Sequence, residues 1–357
     1  MKENDMLPFY KQLAIPQSWA EAPNPLVEYC HRWSRDNAIK QNVISDTKRV
    51  IERFNKQNFA LLTALAYPNA DEPRISVIND FHLYLFLNDD IAEQDEDIGK
   101  QLRKIVPILR SHAKALTDGI NENPSDPLCA FLIDIRTRLL GFAGYKWLHR
   151  FSRNVEDYLL RGTLVGAQNW SENHVPNLVR YEEQRKYDSS VFACQDLIEI
   201  SEKFELPDEI FYRNDIQALK ELSNLVVAYT NDLFSYHKEV EVFSSPNNIV
   251  HVVMICEKRS LSEAVDRVTD IINEKVSAFC QMEKALPDWP LFEGKMVTAY
   301  LRGLKAWMRG NIDWSIASGR YTLVNPHQND YRHQSNQDPS IFKQTPNNEN
   351  WRWKLKS

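Results

Sequence analysis

Three acidic residues directly follow a strongly apolar stretch of the chain. Residues 76–88, SVINDFHLYLFLN, have the pattern of a buried helix, and Asp89, Asp90 and Glu93 come next. Residues three and four apart are neighbours on a helix, so the three carboxylates are expected to share one patch. Their repulsion is offset if a divalent cation binds between them, and carboxylate oxygens favour Mg²⁺ over zinc or copper. A solvent-exposed acidic helix end, continued by residues 94–97, explains the same pattern without a metal.

A second set of oxygen-bearing residues follows the apolar segment ALKELSNLVVAYT. It consists of Asn231, Ser235, Lys238 and Glu239. At about 100° per residue, these four positions fall on one stripe of a helix. The amide, hydroxyl and carboxylate oxygens are three ligands of the kind that Mg²⁺ binds, and Mg²⁺ commonly completes its coordination with substrate phosphate and water. Lys238 adds a positive charge that can hold phosphate. A stripe that merely faces solvent is the alternative explanation.

The elements that must position these two sets are predicted to be helices. The chain has only 10 glycines in 357 residues. The many tight turns of β-sandwiches and barrels require glycine, so this low content disfavours those folds. The first predicted helix starts at Asn24-Pro25 and ends near Trp33, and the second starts after Ser45. A third runs from Asp126-Pro127 through Leu160, and a fourth begins at a capping box formed by Ser260 to Glu263. No run of comparable length alternates with the period of a strand. We therefore predict an all-α fold, a single-domain helical bundle.

The last part of the chain departs from this pattern. Residues 325–357 are rich in Asn, Gln and Pro and poor in aliphatic residues, so they cannot bury enough apolar surface to order by themselves. We predict that residues 1–324 form the helical domain and that 325–357 form a polar C-terminal tail or lid. Trp351 and Trp353 are side chains of this tail that could pack against the body.

Composition and charge narrow the classes of function. The formal net charge is −6 and no basic cluster occurs, so neither nucleic acid nor an anionic membrane surface is expected as a partner. Five cysteines, widely spaced and without a CxxC pair, predict buried free thiols rather than a zinc site or a disulfide framework. The N-terminal residues have no secretory pattern, and no apolar run approaches the ~18 residues of a membrane span. A cytoplasmic protein is expected.

Taken together, the two oxygen-bearing sets resemble the motifs of class I terpene synthases, the metal-dependent cyclases of linear isoprenyl diphosphates. The sequence from Asp89 to Glu93 is similar to the aspartate-rich motif of that family. The sequence from Asn231 to Glu239 matches the family's NSE motif at every defined position. The second match is specific, whereas the first pattern is common in proteins.

Two further segments agree with this resemblance. Arg185 precedes Asn231 at about the distance of the family's diphosphate-sensing arginine, and Asp188 and Ser189 follow at the linker and effector positions. Near the C-terminus, the sequence WMRGNIDWSIASGRY ends in Arg320-Tyr321 and is similar to the bacterial and fungal helix that ends in an Arg-Tyr pair. The matching motifs therefore span most of the predicted domain, in the family's order.

The resemblance implies a specific role for each of these residues around a central apolar cavity. About three Mg²⁺ ions would bridge two helices across its mouth. The implied metal ligands are Asp89, Asp90, Glu93, Asn231, Ser235 and Glu239; the implied diphosphate-binding residues are Arg185, Lys238, Arg320 and Tyr321; and the implied cavity residues are Phe81, Leu85, Phe86 and Trp314. Asp188 would couple Arg185 to a helix break at Ser189, whose carbonyl would then move toward the nascent carbocation.

Some positions depart from the family's commonest pattern. The third acid of the first motif is Glu93 rather than aspartate, which keeps a hard oxygen ligand but changes its reach. Ser189 stands where glycine is frequent. No second aspartate-rich motif occurs around Asn231, which disfavours the related chain-elongating prenyltransferases, and no DxDD stretch for protonation-initiated cyclisation is present.

Several alternatives stay open at the level of sequence. Farnesyl diphosphate is the favoured substrate, geranylgeranyl diphosphate is possible, and the product is a cyclic hydrocarbon or alcohol. A non-catalytic all-α binding protein or a chain-elongating prenyltransferase would be the alternative functions, and the protein could be a monomer or a homodimer. His82, His237 and His251 are expected to pack or hydrogen-bond rather than to bind metal, because no paired histidine spacing accompanies them.

Overall fold

The fold is all-α, as predicted. The structure, a computed structural model, describes residues 11–321, and no strand occurs among them. The first half contains a 3₁₀ turn (Gln17–Trp19), α1 (Val27–Lys40), α2 (Lys48–Gln57), α3 (Phe59–Ala66), α4 (Glu72–Glu93), α5 (Glu96–Gly99), α6 (Leu102–Thr117), α7 (Pro127–Leu139) and α8 (Tyr145–Asp157). The predicted tail, with Trp351 and Trp353, lies outside the described residues.

The second half contains two π-helical segments, named here π1 and π2, in which the backbone is wound more widely than in an α-helix. Its elements are π1 (Tyr158–Thr163), α9 (Leu164–Glu172), α10 (Leu178–Asp188), α11 (Val191–Glu202), α12 (Asp208–Phe211), α13 (Asn214–Tyr236), π2 (His237–Val242), α14 (Ile249–Glu257), α15 (Leu261–Lys284) and α16 (Leu291–Ala317). No helix in the described part of the chain is long and apolar enough to cross a membrane.

The helix starts illustrate how local chemistry sets these boundaries. The predicted capping box is present, because the Ser260 hydroxyl accepts from the Glu263 amide and the Glu263 carboxylate accepts from the Ser260 amide. Asp126 caps α7, with proline in the first turn. The start after Ser45 is displaced, since the Thr47 hydroxyl accepts from the Val50 amide and α2 begins at Lys48.

Two predicted segments have different lengths in the structure. The segment opened by Asn24-Pro25 begins at Val27 and continues beyond Trp33 as α1. The stretch predicted to run from Asp126 through Leu160 is interrupted after α7 and resumes as α8. The interruption contains Gly141 and Gly144, and glycine lowers the cost of leaving the helical conformation.

α13 is the central helix of the bundle. It packs against α10, α11, α14, α15 and α16, while α4 packs against α1, α3, α7 and α11. The buried apolar residues of these helices form one continuous core. The same helices surround a cavity that lies between α4 on one side and α13 on the other.

A buried ionic cluster ties α11 to its neighbours. Asp196 and Glu199 on α11 are fully buried and pair with Arg150 of α8, while Lys220 of α13 lies 3.3 Å from Asp196. Glu199 also accepts from the Leu206 amide at 2.6 Å. Burial nevertheless raises the pKa of Glu199 to about 7. Because a buried charge without its partner is costly, this cluster holds the C-terminal part of α11 in one position.

The C-terminal end of α16 is fastened to the corner between α2 and α3. Asn58 adopts a left-handed conformation there, with φ 45°, so that α3 starts immediately after α2. The Trp314 indole donates to the carbonyls of Gln57 and Asn58 at 3.1 and 3.0 Å. The Ser318 hydroxyl donates to the Gln57 carbonyl at 2.9 Å. These bonds fix the chain that leads to Arg320.

Gly162 lets π1 approach α10 closely. A Cβ atom at this position would lie 2.5 Å from the backbone nitrogen and Cα of Asp188. Gly162→Ala should therefore destabilise the protein by about 2 kcal/mol, since overpacking forces the backbone to shift. The free energy of unfolding by denaturant measures this effect.

Gly294→Ala is the matched control, because a Cβ atom there would meet Trp289 at an ordinary contact distance of 3.4 Å. Gly294 also lies within a helix, where alanine is favoured over glycine by about 1 kcal/mol. Equal stability changes in the two variants would contradict the close approach.

Candidate active site

The acidic residues of α4 have three different environments. Asp89 lines the cavity, and its Oδ2 accepts from Lys238 at 3.3 Å and from Arg320 at 2.7 Å. Asp90 does not line the cavity, since its side chain is turned toward α2 and pairs with Arg53 at 3.2 Å. Glu93 lies one helical turn beyond Asp89 and is also outside the cavity lining. The prediction that all three share one patch is thus only partly correct.

The second motif crosses from an α-helix into a π-helix. Asn231 and Ser235 lie in α13, whereas Lys238 and Glu239 lie in π2. The regular 100° spacing used for the sequence therefore does not hold over the whole motif. Asn231, Lys238 and Glu239 line the cavity. Ser235 does not, and its fully buried hydroxyl oxygen has no hydrogen-bond partner in the described part of the chain.

The two motif faces confront each other across the mouth of the cavity. The ion pair between Lys238 and Asp89 joins π2 directly to α4. Arg320 pairs with the same oxygen of Asp89 and also with Asp90, at 2.7 Å in each case. The Asn231 amide donates to the Tyr321 hydroxyl at 2.6 Å. All four implied diphosphate-binding side chains, including Arg185, line this one cavity.

Arg185 is held in place by a buried acid that the sequence analysis did not single out. Its guanidinium donates to Asp232 at 2.6 Å and to Asn231 at 3.1 Å, and lies 3.8 Å from Asp188. Asp232 is fully buried and also accepts from the Tyr181 hydroxyl. Asp232 directly follows Asn231 within the second motif, and this position could have identified it from the sequence.

The helix break predicted at Ser189 is present. α10 ends at Asp188, Ser189 caps it, and Ser190 has a left-handed φ of 57° before α11 begins. The Ser189 hydroxyl donates to Asn224 of α13 at 2.9 Å. The Ser189 carbonyl accepts from the Ser190 hydroxyl at 2.6 Å. Asp188 lies beside this break and lines the cavity, and burial raises its pKa to about 6.

An apolar cavity lies beneath the charged mouth. Its empty space, including the solvent at the mouth, is about 790 Å³. Leu85, Phe86 and Trp314 line it as implied, but Phe81 does not. Phe81 is directed into the core against Tyr84 and Phe151, because it lies about 80° from Asp89 around the helix axis.

The cavity contains residues that the sequence analysis missed. They are Leu62, Tyr158, Ser190, Val191, Cys194, Val227, Ala228, Trp307 and Asn311, together with His82. Helical spacing could have identified some of them. His82 is seven residues before Asp89, and Trp307 is seven before Trp314, so each lies about two turns away on the same helix face.

The donor set at the mouth fits a divalent cation. The carboxylates of Asp89, Glu93 and Glu239 and the amide oxygen of Asn231 are hard oxygen ligands, and the buried Ser235 oxygen has no hydrogen-bond partner among residues 11–321. Burial and then neighbouring carboxylates raise the pKa of Glu239 to about 7 and that of Glu93 well above its usual value. Bound cations would relieve this crowding of negative charge.

A different group of possible ligands lies in the core between α6 and α7. Atoms of His112, Asp126 and Cys129 lie within 4.8 Å of one another. The His112 imidazole is hydrogen-bonded to Asp126 at 2.9 Å and to the Tyr84 hydroxyl at 3.3 Å, and the Cys129 thiol donates to Ser111 at 3.5 Å. Burial raises the pKa of Cys129 to about 11, so the group behaves as a buried hydrogen-bond network.

Comparison with known proteins agrees with this geometry. Residues 80–278 match the family model described as terpene synthase family 2, C-terminal metal binding. The chain is 30% identical over 289 residues to a (+)-T-muurolol synthase of Roseiflexus castenholzii, covering 80% of this chain and 86% of that enzyme. This chain belongs to the terpene synthase family. It is accordingly an enzyme of the lyase class.

Other similarities extend over most of the chain. A germacrene A synthase of Nostoc punctiforme is 28% identical over 317 residues, covering 87% of this chain and 96% of that enzyme. The solved structure of wild-type cucumene synthase superposes with a TM-score of 0.72 at 21% identity, covering 86% of this chain and 99% of that one. That structural likeness shows the fold.

Asp232 is expected to be essential for the stability of this terpene synthase. Asp232→Asn would leave the Arg185 guanidinium buried without its nearest charge partner, which should lower the free energy of unfolding by about 3 kcal/mol. Tyr181→Phe removes a single neutral donor to the same carboxylate and should cost about 1 kcal/mol. Denaturant unfolding of both variants measures the difference, and an Asp232→Asn variant as stable as wild type would refute the assignment.

Proposed function

We propose that this terpene synthase ionises and cyclises farnesyl diphosphate in a Mg²⁺-dependent reaction and releases diphosphate. The observation that carries the proposal is the confrontation of Asp89 with Lys238 and Asn231 across the mouth of an apolar cavity. The name of the Roseiflexus relative specifies (2E,6E)-farnesyl diphosphate as the molecule that enzyme cyclises. Geranylgeranyl diphosphate stays an alternative substrate for this chain.

The proposed metal ligands are those that line or adjoin the mouth. Asp89 and Glu93 would hold about three Mg²⁺ ions from one side, and Asn231, Ser235 and Glu239 from the other. Asp90 contributes indirectly, because it pairs with Arg53 and Arg320 instead of facing the cavity. When bound, divalent cations supply Lewis-acid neutralisation of the leaving diphosphate.

The basic residues at the mouth would bind the diphosphate. Lys238 and Arg320 both contact Asp89 in the described structure. If Asp89 ligated a cation, its hold on these two side chains would weaken, and both could then donate to phosphate oxygens. Tyr321 and Arg185, which are bonded to Asn231, would donate from the opposite side. Leaving-group stabilisation would thus come from three separate segments: α10, π2 and the chain that follows α16.

The cavity walls would protect the carbocation. Phe86 and Trp314 lie 5.2 Å apart, centroid to centroid, and both line the cavity. Aromatic faces stabilise positive charge by their quadrupoles, and an apolar wall excludes water. In this proposal the break at Ser189–Ser190 responds to diphosphate through Asp188 and Arg185. For the Ser189 carbonyl to turn toward the carbocation, the hydrogen bond that it accepts from the Ser190 hydroxyl must break.

The first test is metal-dependent release of diphosphate. Purified protein with Mg²⁺ should release diphosphate from farnesyl diphosphate, and EDTA should abolish the release. Asp89→Asn and Asn231→Ala should each reduce turnover by about 100-fold or more while the protein stays folded. Full activity of Asn231→Ala would count heavily against the proposal.

Asp90→Asn is the matched control for Asp89→Asn, because the two acids are adjacent but only Asp89 lines the cavity. The change at Asp90 should lower stability through the lost pair with Arg53, and reduce turnover less than the change at Asp89. Equal losses of turnover in two equally folded variants would contradict these separate roles.

The second test is the choice of substrate. Incubation with C10, C15 and C20 diphosphates, followed by gas chromatography of the extract, should give cyclic products chiefly from the C15 compound. A chain-elongating prenyltransferase would instead require isopentenyl diphosphate as cosubstrate. A non-catalytic binding protein would leave every isoprenyl diphosphate intact in the presence of Mg²⁺.

A further inference from the structure

Asn248 lies directly behind one of the proposed metal ligands, at the start of α14. Its side chain is fully buried. It is the N-cap residue of α14, because its Oδ1 atom accepts from the Val250 amide at 3.0 Å. A backbone amide can only donate, so this bond fixes which end of the side-chain amide carries the oxygen. The Nδ2 group of Asn248 must therefore face the other way.

The Nδ2 group of Asn248 donates to two acceptors on different elements. One acceptor is the backbone carbonyl of Asp232, four residues before the end of α13, at 2.9 Å. The other is Glu239 Oε2 in π2, also at 2.9 Å. An amide nitrogen carries two hydrogens, so each of these bonds has its own donor. A single side chain thus links the end of α13 to the carboxylate of Glu239.

Capping of α14 does not account for these two bonds. An N-cap needs only an oxygen acceptor, which serine, threonine or aspartate also supplies. Asn177 is the simpler case, since it caps α10 through its Oδ1 atom, is exposed, and makes no other side-chain hydrogen bond in the described part of the chain. The buried Nδ2 group of Asn248 therefore has a role beyond the cap, and its contact with Glu239 indicates which.

The contact makes the two oxygens of the Glu239 carboxylate different. Oε2 is held by Asn248, whereas Oε1 has no hydrogen-bond partner among residues 11–321. Glu239 lines the cavity, and Asn248 does not. A carboxylate that is held through one oxygen keeps the other available, and it loses less side-chain freedom when it binds a cation.

We propose that Asn248 is a positioning residue for Glu239, an inference that rests on the proposed Mg²⁺-dependent function. The Asn248 amide holds one oxygen of the carboxylate, and the other oxygen is the one that Glu239 offers to a divalent cation. The bond to the Asp232 carbonyl anchors the same amide to α13, which also carries Asn231. Asn248 thereby fixes the Glu239 carboxylate relative to a second ligand without touching metal or diphosphate itself.

Asn248→Ser is the decisive variant. Serine keeps an oxygen acceptor for the cap of α14, whereas the Nδ2 group that binds Glu239 is removed. Loss of a residue that orients a metal ligand commonly weakens metal affinity by about 10-fold to 100-fold. The Mg²⁺ concentration that gives half-maximal release of diphosphate from farnesyl diphosphate should therefore rise about 10-fold or more.

Binding of Mg²⁺ together with inorganic diphosphate tests the same point without turnover. These two probes should raise the Tm of the wild-type protein, because ligands that bind the folded state stabilise it. Asn248→Ser should need about 10-fold more Mg²⁺ than wild type to reach half of its own rise in Tm. An unchanged Mg²⁺ requirement in either measurement would overturn the proposal.

Asn177→Ser is the matched control, because it makes the same change at the N-cap of another helix. Its Mg²⁺ requirement should equal that of wild type, and an equal rise in both variants would contradict a specific effect on Glu239. If wild-type protein with Mg²⁺ releases diphosphate from no isoprenyl diphosphate, the cyclase function itself fails, and this inference with it. Active wild-type protein together with an unchanged Asn248→Ser variant would refute this inference alone.

A crystal structure of the wild-type protein with Mg²⁺ and inorganic diphosphate tests the geometry without any substitution. One oxygen of Glu239 should ligate a cation while the other keeps its hydrogen bond to Asn248 Nδ2. Loss of that hydrogen bond in the metal-bound structure, or a Glu239 that ligates no cation, would overturn the proposal even if Asn248→Ser does not fold.

Discussion

The Asp89 carboxylate is the junction on which the rest of the site depends. It receives Lys238 from π2 and Arg320 from the end of α16, and it belongs to α4. Three segments that are remote in sequence are thereby fixed around one negative charge. Without these two cations, Arg185 would be left to offset the repulsion of Asp89 by Glu93 and Asp188, and the acidic walls would repel each other more strongly. The ion pairs therefore hold the two motif faces together without metal or diphosphate.

Irregular backbone, rather than regular helix, places the side chains at this junction. π2 turns Lys238 and Glu239 toward the cavity at the end of α13. The left-handed Ser190 separates α10 from α11 beside Asp188. The left-handed Asn58 creates the corner that fastens Trp314 and the chain to Arg320. Such features interrupt the helical hydrogen-bond ladder, and they persist here because surrounding bonds and packing hold them.

The cavity divides into two chemical zones. Its mouth concentrates charged groups, whereas the rest of its lining is mostly aliphatic and aromatic, with His82, Ser190 and Asn311 among the polar exceptions. This separation suits a reaction that begins with the loss of an anion and proceeds through a reactive cation. The charged zone stabilises the leaving group, and the apolar zone excludes water.

Helix caps and apolar periodicity are local properties of the chain, so they were enough to predict the all-α fold and the helices that carry the two motifs. The resemblance to the terpene synthases implied Leu85, Phe86 and Trp314 as cavity residues, and the structure places them in the cavity lining together with Asp89. The rotation of α4 against its neighbours was decided by packing, which turns Asp90 toward Arg53 and Phe81 toward Phe151.

Tertiary structure alone also decided what binds each functional group. Asp232 of α13 secures Arg185 of α10, and Lys238 of π2 pairs with Asp89 of α4. These partners lie on different helices, so no spacing within one helix reveals them. The direction in which Lys238 and Glu239 point around the helix axis depends on the wider winding of π2, which the motif sequence does not indicate. Periodicity describes one helix at a time, whereas contacts between helices arise only when the whole core has packed.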